Sequence, residues 1–332
     1  MKITMEHGSG GRATGELINE IFAKEFDNEI LAQMEDSAVI DGCSKIVMTT
    51  DSFVVDPLEF PGGDIGRLCI CGTVNDLLMR GAVPKYITCG FILQEGADTE
   101  QIKRIVISMQ NTAKEAGVII VAGDTKVVEG NGGLFINTAG VGFLTGHTDI
   151  SSKNCRPGDV VIVSGNMGDH HAAILSSRME ITNSIVSDNA PLNEIVHNLL
   201  SEGIEVHTLR DITRGGLATV MKELSDASAC QIDLNEETIP VNLQVKDFCG
   251  LLGLDPLYMG NEGKLVAVVP NHQAMQARDI IRKSAYGQDA DIIGHISELP
   301  GDAKGGKVIL HTFIGGKRIL DVLQGEGLPR IC

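Results

Sequence analysis

Acidic residues beside apolar runs are the first candidates for chemistry in this sequence. Asp36 precedes an apolar run, Asp51 ends a strand-like run, and Asp124 follows a fully apolar one. Asn75 and Asp76 lie inside an otherwise apolar helical stretch. A carboxylate in such a place is costly unless it is paired or binds a cation. Mg²⁺ takes carboxylates plus substrate phosphates, so the four acids together predict a Mg²⁺ site. Each Asp alone could equally be a helix cap or a turn residue.

Two cationic features could meet the phosphates of a nucleotide such as ATP. Lys126 stands two residues after Asp124. Near the amino terminus, the segment His7–Arg12 combines glycines with an arginine, and its candidate binding residues are Gly8, Ser9, Gly10, Gly11 and Arg12. Glycines let backbone N–H groups turn toward an anion, and an arginine adds a charged donor. The alternative for this segment is a flexible arm.

The second half of the chain carries two further candidates. Asp211 and Arg214 precede a predicted helix, whose first N–H groups favour an anion. Glu262 stands in Gly-Asn-Glu-Gly, where glycines would let a substrate approach and the carboxylate could act as a general base. Asp211 and Arg214 could equally belong to an ordinary capping segment, and Glu262 could equally be a turn residue.

The chain ends on a thiol, Cys332, in the sequence Leu-Pro-Arg-Ile-Cys. The segment from Gly325 onward has no periodicity and is predicted to be a mobile tail. Eight extended residues reach roughly 25 Å at about 3.3 Å each, so this sulfur could enter a distant pocket. An accidental terminal cysteine is the alternative.

Composition excludes several classes of protein. The 27 basic and 44 acidic residues give a net charge of −17, which argues against nucleic acid or an anionic membrane as partner. No run approaches the roughly 18 apolar residues of a membrane span, and the start does not resemble a signal peptide. The eight cysteines lack the spacing of a disulfide framework or a zinc site. We therefore expect a cytoplasmic protein with reduced thiols.

Alternating strand-like and helical runs predict an α/β or α+β fold in two cycles. The clearest helix runs from Asp98, a candidate N-cap, to Gly117, a candidate terminator. The stretch 64–81 predicts another helix. Predicted strands and later helices cover residues 45–51, 118–122, 134–144, 160–163, 191–202, 217–227, 265–269, 274–286 and 292–296. We divide the chain into an N-terminal arm (1–34), an N-terminal domain (35–150), a C-terminal α/β domain (151–324) and the tail (325–332).

Several motifs occur together in one order along the chain. They are the glycine-rich arm, Asp-Ser-Ala-Val from Asp36, Val-Asn-Asp-Leu from Val74, Ala-Gly-Asp-Thr-Lys from Ala122, Arg-Asp-Ile-Thr-Arg-Gly-Gly from Arg210, Gly-Asn-Glu-Gly from Gly260, and the terminal Pro-Arg-Ile-Cys. This set closely resembles the HypE family, the carbamoyl dehydratases of [NiFe]-hydrogenase maturation, over essentially the whole chain. The wider superfamily resembles aminoimidazole ribonucleotide synthetase, selenophosphate synthetase and thiamine-monophosphate kinase.

The resemblance implies a two-domain aminoimidazole ribonucleotide synthetase-like fold. Its N-terminal strands would form a barrel spanning a homodimer, and its C-terminal domain would be a mixed α/β sandwich. ATP and Mg²⁺ would be the cofactors, the carbamoyltransferase HypF would be a partner, and the HypC–HypD complex would accept the cyanide. In this sequence Ser37 follows Asp36 where many relatives have a second acid, which leaves one possible Mg²⁺ ligand fewer.

The resemblance also implies the chemistry, which is ATP-dependent dehydration of a carbamoyl group on Cys332 to a thiocyanate. We expect Asp36, Asp51, Asp76 and Asp124 to hold the metal and the phosphates. Asn75, Asp211 and Arg214 would line the ATP site with them. Lys126 would stabilise the transferred phosphoryl group, and Glu262 would take the amide proton. Three alternatives remain: a small-molecule kinase or synthetase of the same superfamily, a non-catalytic nucleotide-binding scaffold, and a metal-storage or redox protein.

Overall fold

The computed structural model of the protein describes residues 2–9, 11–34, 37–144, 149–301 and 305–323. Three of the predicted site residues, Gly10, Asp36 and Cys332, lie outside these ranges.

The first sheet has four strands in the order β1–β6–β4–β5. Its strands are β1 (Ile46–Phe53), β4 (Val83–Gln94), β5 (Ile119–Val128) and β6 (Leu134–Phe143), and a short hairpin of β2 (Glu59–Phe60) and β3 (Gly63–Asp64) lies beside it. Neighbouring strands are antiparallel except for the parallel pair β4 and β5. This sheet is open, because β1 and β5 form its two edges, so the predicted barrel is not present within one chain.

Helices α2 (Ile65–Leu78) and α3 (Thr99–Ala116) pack against each other, and α2 covers β1 and β6. Each begins at an aspartate whose side chain accepts a backbone N–H, Asp64 for α2 and Asp98 for α3. Gly117 ends α3 in the left-handed conformation that favours glycine. The predicted helix over 98–117 is therefore confirmed.

The amino-terminal segment is helical rather than an extended arm over most of the described part. A 3₁₀ turn (Met5–Gly8) leads to α1 (Arg12–Leu17), which continues as a π-helical segment (Ile18–Ala23). Phe22 on this segment packs against Phe91 of β4 with ring centroids 4.5 Å apart. The N-terminal helix therefore belongs to the core of the first sheet.

The second sheet has seven strands in the order β13–β12–β9–β11–β7–β10–β8. They are β7 (Asp159–Val163), β8 (Thr208–Asp211), β9 (Cys230–Asn235), β10 (Leu265–Pro270), β11 (Asp291–Glu298), β12 (Lys307–His311) and β13 (Lys317–Leu320). All neighbours are antiparallel except β9 and β12. The predicted helices and strands of this half are confirmed within a few residues at their ends.

Helices cover both faces of the second sheet. The helices of this half are α4 (Asp169–Arg178), α5 (Asn193–Ser201), α6 (Gly216–Ser228), α7 (Leu243–Leu252) and α8 (Ala274–Lys283). Helices α5 and α8 pack on one face and α6 on the other, whereas α4 and α7 pack with each other in a separate core. Alternate residues of β7 enter different cores: Val160 and Ile162 pack with α5 and α8, whereas Val161 and Val163 pack with α6. The first of these cores continues into the N-terminal sheet, so the two halves share one apolar interior. The four-segment division of the chain stays a prediction.

Within the described residues, no helix has the length and apolar character needed to cross a bilayer. The seven described cysteines are all free thiols. Six of them are buried, and burial raises the pKa of Cys69 and of Cys71, which keeps both protonated.

Candidate active site

A small polar cavity of about 190 Å³ lies where the two halves of the chain meet. Its lining includes Asp51 and Asp76 from the N-terminal half with Asp211, Arg214 and Glu262 from the C-terminal half. Five of the predicted site residues, from four separate motifs, therefore share one cavity. No spacing in the sequence places them together; the contact between the two halves does.

The N-terminal wall of this cavity is built from β1 and α2. Residues of β1 alternate between the outer face and the face covered by α2, and Asp51 belongs to the covered face. Gly72 of α2 lies against it, because a Cβ at Gly72 would be 3.6 Å from Asp51 Oδ2 and 2.9 Å from the Phe53 ring. Asp76 stands one helical turn further on, and its carboxylate accepts a hydrogen bond of 2.6 Å from Thr49.

The C-terminal wall is the end of β8 and the loop that precedes α6. Asp211 is the last residue of β8, and Arg214 follows in the loop. The Glu262 loop, which we define as Gly260–Lys264, runs beside this strand end. The Ile212 N–H donates to the Lys264 carbonyl at 2.9 Å, and the Asn261 N–H donates to the Ile212 carbonyl at 3.0 Å.

Crowded acids dominate the electrostatics of the cavity. Burial, followed by the charge of Asp76, raises the pKa of Asp211 to about 7. Burial also raises the pKa of Asp51, while the Arg214 charge works in the opposite direction. For Glu262, burial and then the charges of Asp188, Asp211 and Asp51 raise the pKa well above its ordinary value. A cation or a phosphate-bound metal would relieve this repulsion, and a raised pKa suits a carboxyl group that must accept a proton.

The donor set fits Mg²⁺. Asp51 and Asp76 present carboxylate oxygens to one cavity, and Mg²⁺ binds through one or two carboxylates plus substrate phosphates and waters. Within the described ranges, no group of three or more His, Cys, Asp or Glu side chains forms a ready metal cluster.

Asp124 and Lys126 lie elsewhere. They occupy β5, which continues through both residues instead of ending before Asp124 as we predicted. Lys126 Nζ pairs with Asp124 at 3.0 Å, and both side chains are mostly exposed. Together they line a second cavity of about 340 Å³, whose apolar walls come from the N-terminal helix and which Gly8 also lines.

The register of the first sheet gives the separation of the two cavities. One row of paired residues crosses the sheet from edge to edge: Asp51 on β1, Thr138 on β6, Cys89 on β4 and Gly123 on β5. Asp124 follows Gly123 on β5. Three strand spacings of about 4.8 Å amount to about 14 Å. Within one chain, therefore, Asp124 and Lys126 do not meet Asp51 and Asp76.

The glycine-rich segment is partly engaged in local contacts. The Ser9 hydroxyl donates to the Glu6 carbonyl at 2.8 Å, and the exposed Arg12 pairs with Glu16 at 2.6 Å. Gly11 is the N-cap of α1. A Cβ at Gly8 would come within 2.8 Å of Val127, so only glycine fits this close against β5.

Asn75 has a different environment from the one predicted for a nucleotide ligand. Its side chain is buried, and both amide atoms bond to backbone groups of the C-terminal half. Asp188, which the sequence reasoning missed, also reaches this region, and its carboxylate accepts the Glu262 N–H at 3.0 Å. No motif marks Asp188, because its role depends on a contact between distant segments.

Comparisons with known proteins show which family this chain belongs to. The N-terminal and C-terminal domain models of AIR synthase related proteins match residues 34–144 and 156–304. The carbamoyl dehydratase HypE of Cupriavidus necator is 48% identical over 337 residues, covering 100% of this chain and 95% of that protein. The chain belongs to the HypE family.

Two solved structures of HypE proteins support this membership. A hydrogenase maturation protein HypE in complex with ATP has a TM-score of 0.95 and 45% identity, covering 99% of each chain. A HypE–HypF complex contains a chain with a TM-score of 0.79 and 48% identity, covering 92% of this chain and 99% of that one. The sequence-based resemblance to the HypE family is thus confirmed.

Proposed function

We propose that this protein is an ATP-dependent carbamoyl dehydratase that converts an S-carbamoyl group on its own Cys332 into a thiocyanate, supplying cyanide for the iron centre of [NiFe]-hydrogenase. Full-length similarity to HypE carbamoyl dehydratases carries the proposal. The cavity that groups Asp51, Asp76 and Arg214 with Glu262 supplies suitable chemistry. A cytoplasmic location stays a prediction.

The first step would activate the carbamoyl oxygen. That oxygen attacks the γ-phosphorus of ATP, the bond from this phosphorus to the β-phosphate oxygen breaks, and ADP leaves. Glu262 takes one proton from the carbamoyl nitrogen. The product is an imidate whose oxygen carries the phosphoryl group. Transfer of this kind depends on positioning and charge neutralisation rather than covalent help from the protein.

The second step would expel phosphate. The bond between the carbamoyl carbon and its oxygen breaks, the departing phosphate takes the remaining nitrogen proton, and a carbon–nitrogen triple bond forms at the carbon attached to the Cys332 sulfur. Asp51 and Asp76, with Asp36 and with Asp124 of a second copy, would hold Mg²⁺, which supplies positive charge to neutralise the phosphates. Asp211 and Arg214 would line the cleft near the phosphates or the tail.

A homodimer would explain why the predicted site is split in this structure. Two open four-stranded sheets can close into one barrel, which removes exposed strand edges. The outer face of the sheet carries exposed apolar side chains, including Met48 on β1 and Ile92 on β4. In such a barrel, β5 of one copy can lie along β1 of the other. Asp124 and Lys126 would then approach Asp51 and Asp76 of the second copy.

Charge on the outer face of β1 should therefore abolish both the dimer and activity. Met48 is 64% exposed in the single chain, so Met48→Glu should fold normally but carry a carboxylate into the proposed interface. We expect a monomer by sedimentation equilibrium and a loss of dehydration of at least tenfold. Leu251→Glu is the control, because Leu251 is 76% exposed on α7 of the other domain. A Met48→Glu protein that remains dimeric, or a fully active monomer, would contradict the composite site.

Lys126→Ala should remove most of the phosphoryl-transfer rate. Loss of one positioned charge that stabilises a transition state costs about 10²–10³ in kcat. The exposed pair with Asp124 contributes little to stability, so the melting temperature should hardly change. The control is Lys114→Ala, an exposed lysine on α3. Full activity of Lys126→Ala in single-turnover assays would exclude this role.

The destination of the oxygen atom tests the proposed reaction. Protein carbamoylated with a carbonyl labelled with oxygen-18 should, with ATP, release phosphate that contains the label. A kinase or synthetase acting on a free small molecule, the alternative within this superfamily, would release or transfer unlabelled phosphate. A label that remains on the protein or appears in water would overturn the proposal.

HypF and the HypC–HypD complex are the proposed partners. A HypE protein has been solved in complex with HypF, and this chain resembles that HypE closely. HypF would deliver the carbamoyl group to Cys332. The HypC–HypD complex would take the cyano group, as the family resemblance implies.

A further inference from the structure

Both backbone polar groups of Glu262, its N–H and its carbonyl, form hydrogen bonds with side chains from outside its own loop. Its N–H donates to Asp188 Oδ1 at 3.0 Å. Its carbonyl accepts from Asn75 Nδ2 at 3.4 Å, and the same amide nitrogen donates to the Ala190 carbonyl at 3.1 Å. Rotation of Glu262 about its backbone would therefore break bonds on two sides.

Asp188 is itself buried in the contact between its segment and the Glu262 loop. Its side chain is 2% exposed, and Lys264 Nζ stands 3.8 Å from its second carboxylate oxygen. The segment that carries Asp188 presses against the loop, because a Cβ at Gly263 would come within 1.9 Å of the Asp188 carbonyl oxygen. Only glycine fits there, so the loop cannot slide along this segment.

Asn75 connects the loop to the opposite wall of the cavity. It is 2% exposed, and its Oδ1 accepts the Leu192 N–H at 2.9 Å. Asn75 immediately precedes Asp76 on α2, whose carboxylate lines the cavity. Its amide therefore joins the helix that carries one wall to the loop that carries Glu262.

We propose that Asp188 and Asn75 are positioning residues that hold the Glu262 carboxyl at a fixed place opposite Asp51 and Asp76. This inference rests on the proposed role of Glu262 as the base. Proton transfer requires the acceptor within hydrogen-bond reach of the proton, and displacement by about 1 Å can cost about 10² in rate. Neither residue touches the substrate; each acts through the backbone of Glu262.

A double-mutant cycle with Glu262→Gln separates positioning from a general structural role. We expect Asp188→Ala and Asn75→Ala each to lower the single-turnover dehydration rate by about 10–10², with ATP affinity changed less than threefold. In the Glu262→Gln background, either substitution should lower the residual rate less than twofold. Asp188→Asn keeps an oxygen that can accept the Glu262 N–H and should recover most of the rate lost in Asp188→Ala.

The control for loss of a bond between the two halves is Asn193→Ala. Asn193 donates to the Ala116 carbonyl at 3.0 Å, a bond that does not involve Glu262, so its removal should leave the rate unchanged. Equal losses with and without Glu262→Gln, or a normal rate in Asp188→Ala, would overturn the positioning role. A normal rate in Glu262→Gln itself would instead overturn the role of Glu262 in the proposed function.

Discussion

Cys332→Ala should abolish thiocyanate formation completely, because the variant lacks the sulfur on which the carbamoyl group is carried. A residue at a chain terminus contributes little packing, so folding should be unaffected. ATP binding should also persist, because the residues proposed to bind the nucleotide and its metal are unchanged in this variant. Calorimetry for ATP binding and mass spectrometry for the modified tail measure the two outcomes.

Cys43→Ala is the matched control for this prediction. Cys43 is the exposed thiol among the described cysteines, and its removal leaves the terminal cysteine in place. Carbamoylation and dehydration should proceed at the normal rate in this variant. Product formed by Cys332→Ala, on any residue, would show that the terminal thiol is not the required carrier.

Glu262→Gln should reduce the rate of dehydration by about 10²–10⁴, the range typical of a lost general base. The amide has nearly the same shape but cannot accept the proton in the same way. Because the buried Glu262 carboxyl has a raised pKa and acid neighbours, its replacement should not destabilise the fold. Rapid-quench measurement of ADP and of the modified tail in one turnover would give this rate.

The control is Glu298→Gln, which changes an exposed glutamate at the end of β11 in the same domain. It should leave the rate unchanged. A Glu262→Gln protein that dehydrates the carbamoyl group at the normal rate while binding ATP normally would assign the base elsewhere. Asp211, buried in the same cavity with a pKa raised to about 7, would then be the next residue to test.

Local signals predicted much of the fold. Asp98 and Gly117 mark the two ends of α3, and the structure places a cap and a left-handed terminator at these residues. Strand β4 was not predicted from the sequence, because Gly81 and Pro84 indicate the end of a helix and mask the alternating residues that follow. The extra strands β12 and β13 at the far edge of the second sheet also lack a strong pattern.

The candidate site could be predicted only in part, because spacing does not report which strands become neighbours. Asp51 and Asp76, two of the four acids that the sequence groups together, do share a cavity, and Glu262, a separate candidate, lines it as well. Asp124 looked equivalent by sequence but lies on the opposite edge of the sheet. Asn75 and Asp188 hold backbone groups from distant segments, and such contacts leave no local signature.

Mass spectrometry of the C-terminal peptide tests the central claim most directly. The full-length protein would be carbamoylated by HypF and incubated with Mg²⁺, with and without ATP. We predict that the carbamoylated Cys332 peptide loses the mass of one water only when ATP is present. A carbamoyl group that forms on Cys332 but survives ATP, or a Cys332 that never accepts the group, would contradict the proposed dehydratase.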